Sequence, residues 1–137
     1  MKIAILEPNE GQLSIYAYEF CEFKPDLFYD LNVFLLACKG QYDVVILPHR
    51  IDGISWKKIY LDTTNNTTNT RYIVTSTFEP DDYKAMEPEI YKQLEEIRQF
   101  PNVHLKQKDE YSKIYDLIEG KKSFLNMRQI ALSLIAA

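Results

Sequence analysis

Tyr42-Asp43-Val44-Val45-Ile46-Leu47-Pro48-His49-Arg50 is the stretch from which the rest of the chain can be read. Val44 to Leu47 are all branched and apolar, with no polar residue among them. A strand with one face in water alternates apolar and polar residues. An unbroken apolar run instead belongs to a strand covered on both faces, as in a parallel sheet held between two layers of helix. Similar runs recur on either side. Residues 2–6 and Tyr72-Ile73-Val74-Thr75 read as strands of the same kind, Leu27-Phe28-Tyr29 as a short aromatic strand, and Val103-His104-Leu105 as the last.

Between the runs the apolar period changes to that of a helix. Pro8-Asn9-Glu10-Gly11 turns the chain, and Leu13, Tyr16, Ala17, Phe20 and Cys21 form one stripe that Pro25 stops. Asn32 is placed to cap a second helix running through Lys39, with Gly40 at its end. Ser55 is placed to cap a third, carrying Trp56, Ile59 and Tyr60. The polar stretch from Asp62 to Thr70 reads as a loop. Ile90, Tyr91, Leu94 and Ile97 mark a fourth helix, ended by Phe100-Pro101-Asn102, and Tyr111, Ile114, Tyr115 and Ile118 a fifth. Strands alternating with helices in this way predict an α/β fold, a five-stranded doubly wound parallel sheet over residues 1–122. Phe124, Met127, Ala131, Leu134 and Ile135 continue a helical stripe, so residues 123–137 read as a C-terminal helical extension or linker.

Composition narrows the function classes. With 46% apolar residues in 137, the chain is expected to fold as one globular domain. A net charge of -4 argues against direct binding of nucleic acid, which needs a basic surface. The opening apolar run is far shorter than a signal peptide's, and the apolar stretch from Ile130 to Ala137 is too short to span a bilayer, so no membrane association and a cytoplasmic location are expected. In that setting the Asn65-Asn66-Thr67 glycosylation pattern carries no meaning, and Cys21 and Cys38 are expected to be buried, reduced thiols. The four glycines do not cluster after the first strand, which excludes a phosphate-cradling loop or dinucleotide fingerprint. No nucleophile elbow or triad stands out, so an enzyme is not expected.

In a doubly wound sheet, ligands collect at the carboxyl ends of the strands. Here those ends carry Glu7-Pro8, Pro48-His49-Arg50, Thr75-Ser76-Thr77 and Lys106-Gln107-Lys108. With the cadence of the third strand and its loop, Pro48-His49-Arg50-Ile51-Asp52-Gly53, the chain resembles a response-regulator receiver domain of flavodoxin-like, CheY-like fold over roughly residues 1–120. A receiver carries two acidic residues after its first strand to hold Mg²⁺; the first matches Glu7, and the second is replaced by Pro8. The phosphoacceptor aspartate is replaced by Pro48. The hydroxyl after strand four matches Thr75 and the lysine after strand five Lys106, but the proline after that lysine is Gln107 and the switch aromatic is Val103.

Phosphoryl transfer to a carboxylate needs that carboxylate and a hard cation. What the resemblance implies is therefore a degenerate pseudo-receiver, with a phosphorylation pocket reduced to Glu7, Pro8, Pro48, Thr75 and Lys106 and with no metal or cofactor. Asp43 does not substitute, standing roughly 16 Å away at the other end of its strand. Asp52, followed by Gly53, reads as a turn residue. The implied role is in signal transduction, through a protein partner or homodimer on the face of the fourth helix, fifth strand and fifth helix. Phe78 to Phe100 is long for a receiver, which predicts an elongated fourth-helix region or an added turn at Glu79-Pro80-Asp81-Asp82. The alternative is a flavodoxin-like module binding a small anionic ligand through His49, Arg50, Thr75 and Lys106. Without such a ligand, Lys106 is expected to pair with Glu7.

Overall fold

The computed structural model describes residues 1–38, 41–64 and 69–120. Its strands are β1 (Ile3–Leu6), β2 (Asp26–Phe28), β3 (Val44–Pro48), β4 (Arg50–Ile51), β5 (Ile54–Ser55), β6 (Arg71–Ser76) and β7 (Val103–Gln107). The helices are α1 (Glu10–Glu19), α2 (Leu31–Ala37), α3 (Trp56–Thr63), α4 (Pro80–Met86), α5 (Pro88–Glu95) and α6 (Tyr111–Glu119). Five strands form one parallel sheet in the order β2-β1-β3-β6-β7. That is the flavodoxin-like order, in which the chain reverses its direction of travel across the sheet between β1 and β3.

The alternation of side chains along each strand sorts the core into two layers. Ala4, Leu6, Val45, Leu47 and Val74 face α2, α3, α4 and α5, where they meet Phe34, Trp56, Ile59, Ile90 and Leu94. Ile3, Ile5, Val44, Ile46 and Ile73 face α1 and α6, where they meet Tyr16, Phe20, Ile114 and Ile118. The doubly wound architecture expected from the unbroken apolar runs is the one observed.

Local chemistry sets the helix starts. Asn9 Oδ1 accepts the Gln12 N–H at 2.9 Å and caps α1. The cap of α2 is Asp30 rather than Asn32: Asp30 is extended and its Oδ1 accepts the Val33 N–H at 3.0 Å, whereas Asn32 lies within the first turn. Lys39 and Gly40 lie outside the described residues. Ser55 caps α3 as expected, its Oγ accepting the Lys57 N–H at 3.3 Å. The helix then runs further than its polar sequence suggests. Thr63 is buried, donates to the Ile59 carbonyl at 2.8 Å and meets the Tyr72 hydroxyl at 2.9 Å, so Asp62 and Thr63 belong to α3 and not to a loop.

The added length in the fourth-helix region occurs as two helices. Pro80 and Pro88 each stand in the first turn, where a missing N–H costs nothing, and Pro88 keeps α4 from continuing into α5. A short 3₁₀ turn, Glu96–Gln99, follows α5. Asp52 and Gly53, with φ of 50° and 77°, make the two-residue turn of a β4–β5 hairpin that the sequence reading placed only as a turn. Cys38 is buried, but Cys21 is exposed in a 3₁₀ turn past the end of α1, a correction to the expectation that both thiols are covered. The Arg71 guanidinium donates to the carbonyls of Leu117 at 2.6 Å and Ile118 at 2.8 Å, closing the end of α6 against the start of β6. Among the described residues no helix is long and apolar enough to cross a membrane. The proposed extension at 123–137 lies outside the described residues.

Candidate functional site

The carboxyl ends of β1, β3 and β6 and the residues just past β7 enclose a small cleft of about 180 Å³. Pairing fixes its floor. Pro48 is the last residue of β3 and stands opposite Thr75 of β6, and the His49 N–H donates to the Thr75 carbonyl at 2.9 Å. Glu7, one residue beyond β1, donates its N–H to the Phe28 carbonyl at 2.9 Å, and its Oε2 accepts the Asn9 N–H at 3.0 Å. Glu7, Pro8, Pro48, His49, Arg50 and Thr75 all line this cleft, so the structure brings these residues of the sequence reading together.

Lys106 is the exception. It lies inside β7, opposite Thr75 in register, and lines a different groove, beside α5 and the 3₁₀ turn. Its charge acts on Glu110, and the ion pairs among the described residues do not include one between it and Glu7. The lysine that lines the cleft is Lys108, whose N–H donates to the Ser76 carbonyl at 2.8 Å. The displacement by two residues has a simple cause. β7 is an edge strand and carries polar residues up to Gln107, so it continues past Leu105, where its apolar residues stop. The cleft also gains Asn9, Gln12, Ser76 and Thr77. Ser76 and Thr77 belong to the strand end that the sequence marks as Thr75-Ser76-Thr77, whereas nothing in the sequence singles out Gln12.

The electrostatics of the cleft are mixed. Glu7 is only 7% exposed. Burial holds its pKa above the ordinary carboxylate range, against the opposing pull of the Asn9 N–H and of the Lys108 charge. His49 is half-buried, its ring 5.6 Å from that of Tyr83 in α4. Desolvation pushes its pKa down, the Thr75 backbone opposes that, Arg50 adds to it, and Glu87 opposes it. Beneath the cleft the Tyr16 hydroxyl donates to the Lys108 carbonyl at 2.9 Å and fixes the start of that loop against α1. Burial and the nearby Glu7 charge both push the Tyr16 pKa up and keep the phenol neutral. The Thr75 hydroxyl is buried, lies 3.4 Å from the Leu47 carbonyl and also interacts with the Tyr16 hydroxyl, which opposes the rise of the Tyr16 pKa.

These residues do not fit the Mg²⁺ of a working receiver. Glu7 is the one carboxylate in the cleft, flanked by Pro8 and faced by Pro48, where further oxygen ligands would be needed. Among the described residues no group of three or more His, Cys, Asp or Glu is placed to hold a metal ion. No family model matches the chain, and no curated protein matches its sequence.

Proposed function

We propose that the chain is a receiver-like regulatory domain that retains the scaffold of a phosphorylation switch without its chemistry and works by protein contact. The observation that carries this reading is Pro48 at the end of the central strand, lining one cleft with Glu7 and Thr75. A side chain without oxygen occupies the position from which a phosphoryl-accepting carboxylate would have to reach. The strand order and the split of helices, α1 and α6 on one face and the others opposite, support the scaffold half of the reading. The contact surface is the face of α5, β7 and α6, used toward a partner protein or a second copy in the cytoplasm. No catalytic residue is assigned.

Incubation with acetyl phosphate and Mg²⁺, followed by intact-mass measurement, is expected to give no phosphoryl adduct; an adduct mapped to any Asp overturns the reading. Cross-linking of the full chain in its native cells is expected to place partner or self contacts on α5, β7 and α6. Cross-links confined to other faces overturn the choice of surface.

A second reading, a module for a small anionic ligand, is favoured by His49, Arg50 and Lys108 lining one cleft with Thr75, Ser76 and Thr77. A ligand-induced rise in melting temperature that disappears when Arg50→Ala and Lys108→Ala are combined supports it.

A further inference from the structure

The cleft contains both signs of charge, and they are not equivalent. Glu7 is the buried one: it is 7% exposed, and its carboxylate has a hydrogen bond from the Asn9 N–H but no cation at ion-pair distance among the described residues. Arg50 is exposed, and Lys108 lies in the chain just past the edge strand. A bare anion entering the cleft gains from Lys108 and Arg50 but meets the Glu7 carboxylate; a bare cation has the opposite difficulty. Lys108 pulls on the Glu7 carboxylate from beyond ion-pair distance, so the buried charge keeps part of its desolvation cost, and a ligand ammonium in direct contact relieves it.

Size restricts the ligand further. At about 180 Å³ the cleft is well below the volume of sites that take drug-sized or nucleotide ligands, roughly 300–1,000 Å³. A molecule that matches both charges within this space is a small zwitterion, with an ammonium at one end and a carboxylate at the other.

We propose that the cleft binds a small zwitterion of the size of a short amino acid, its ammonium on Glu7 and its carboxylate on Lys108 and Arg50. Ser76, Thr77 and His49 complete the lining, with the Ser76 hydroxyl already donating to the Phe78 carbonyl at 2.7 Å. The inference rests on the ligand-binding reading of the cleft and narrows it from an anion to a molecule carrying both charges. It uses Glu7 as a ligand-binding group, a role that neither an anion site nor an inert receiver pocket gives it.

The test is titration of the full chain with glycine, L-alanine and β-alanine, with acetate, methylammonium and inorganic phosphate as single-charge controls, followed by calorimetry and by backbone amide NMR. Glycine or alanine is expected to bind, with shifts at Glu7, His49, Ser76 and Lys108, and the controls are not. Glu7→Gln keeps the shape of the side chain and is expected to weaken glycine binding about ten- to a hundredfold, the loss that goes with one charge-assisted hydrogen bond; its amide spectrum checks that the fold is intact. Glycine binding unchanged in Glu7→Gln overturns the proposal. Binding of phosphate or acetate without glycine also overturns it, while leaving the ligand-binding reading standing. Binding of none of the probes overturns both.

Discussion

At the scale of the residue, Glu7 lies where an ionised group is disfavoured, and its titration gives a sign that can be checked. The folded chain holds the Glu7 proton more tightly than the unfolded chain does, because burial penalises the charged form. Its contribution to stability is therefore fully present at pH values below the ordinary carboxylate range. It is lost as pH rises from there through the raised folded value. Glu7→Gln cannot ionise and escapes that loss. Its melting temperature is expected to exceed that of the parent at neutral pH by a few degrees, with the gap closing as pH falls toward about 4. His49 acts in the same interval with the opposite sign, since its depressed pKa makes the fold weaker as pH drops. Melting both proteins across the same pH series cancels that shared term. A gap that is constant with pH, or that widens in acid, contradicts the assignment.

At the scale of the element, β7 shows how the fold finishes a sheet edge. The Tyr72 N–H donates to the Asn102 carbonyl and the Lys108 N–H to the Ser76 carbonyl, so the even-numbered residues from 102 to 108 turn their backbone groups toward β6. The odd-numbered ones turn outward, where an open edge invites pairing with another chain. Val103 donates its N–H to the Phe100 carbonyl at 3.1 Å, and Gln107 donates to the Glu110 carboxylate at 2.8 Å, which among the described residues leaves Leu105 as the open rung. The Lys113 ammonium and the Gln107 N–H together hold the Glu110 pKa below the ordinary range. This contribution is present above that range and lost as pH falls through the folded value. Glu110→Ala is expected to cost about 1 kcal/mol in urea unfolding and to raise light scattering with protein concentration, because the freed Gln107 N–H lengthens the open edge. Unchanged scattering removes the protective role. The same strand marks the limit of what was legible in the sequence. Val44 to Leu47 and Ile3 to Leu6, covered on both faces, announce themselves as unbroken apolar runs. An edge strand has no such pattern: His104, Lys106 and Gln107 hide its true end, and Lys106 was read into the cleft in place of Lys108. Glu7, Pro48 and Thr75 were legible because they sit at the ends of well-marked central strands. The cap at Asp30 is hidden because Asn32, two residues on, is an equally good capping residue, and the split at Pro88 because a proline fits the first turn of a new helix as well as the end of an old one.

At the scale of the molecule, the two core layers share one sheet but no side chains, and whether they unfold together is a measurable property. Phe20 is fully buried among Tyr16, Ile5 and Ile118 on the α1–α6 face. Trp56 is fully buried on the opposite face, where its Nε1 donates to the Gln93 carbonyl at 2.8 Å and its ring meets Phe100 edge-on. It is the single tryptophan of the chain, so its fluorescence reports one layer alone. The central strand β3 couples the layers through adjacent residues, Val45 in the layer of Trp56 and Ile46 in the layer of Phe20. Neither layer has a sheet without the other, which makes a single cooperative transition the expectation for a domain of this size. Phe20→Ala leaves a large cavity and is expected to destabilise by about 3–5 kcal/mol. Although Phe20 lies in the other layer, the urea midpoint followed by Trp56 fluorescence should fall by the same amount as the midpoint followed by far-ultraviolet circular dichroism. A Trp56 transition that stays in place while the dichroism transition moves would mean that the α2–α5 layer holds together after the α1–α6 layer has opened, and that the sheet does not bind the two into one unit.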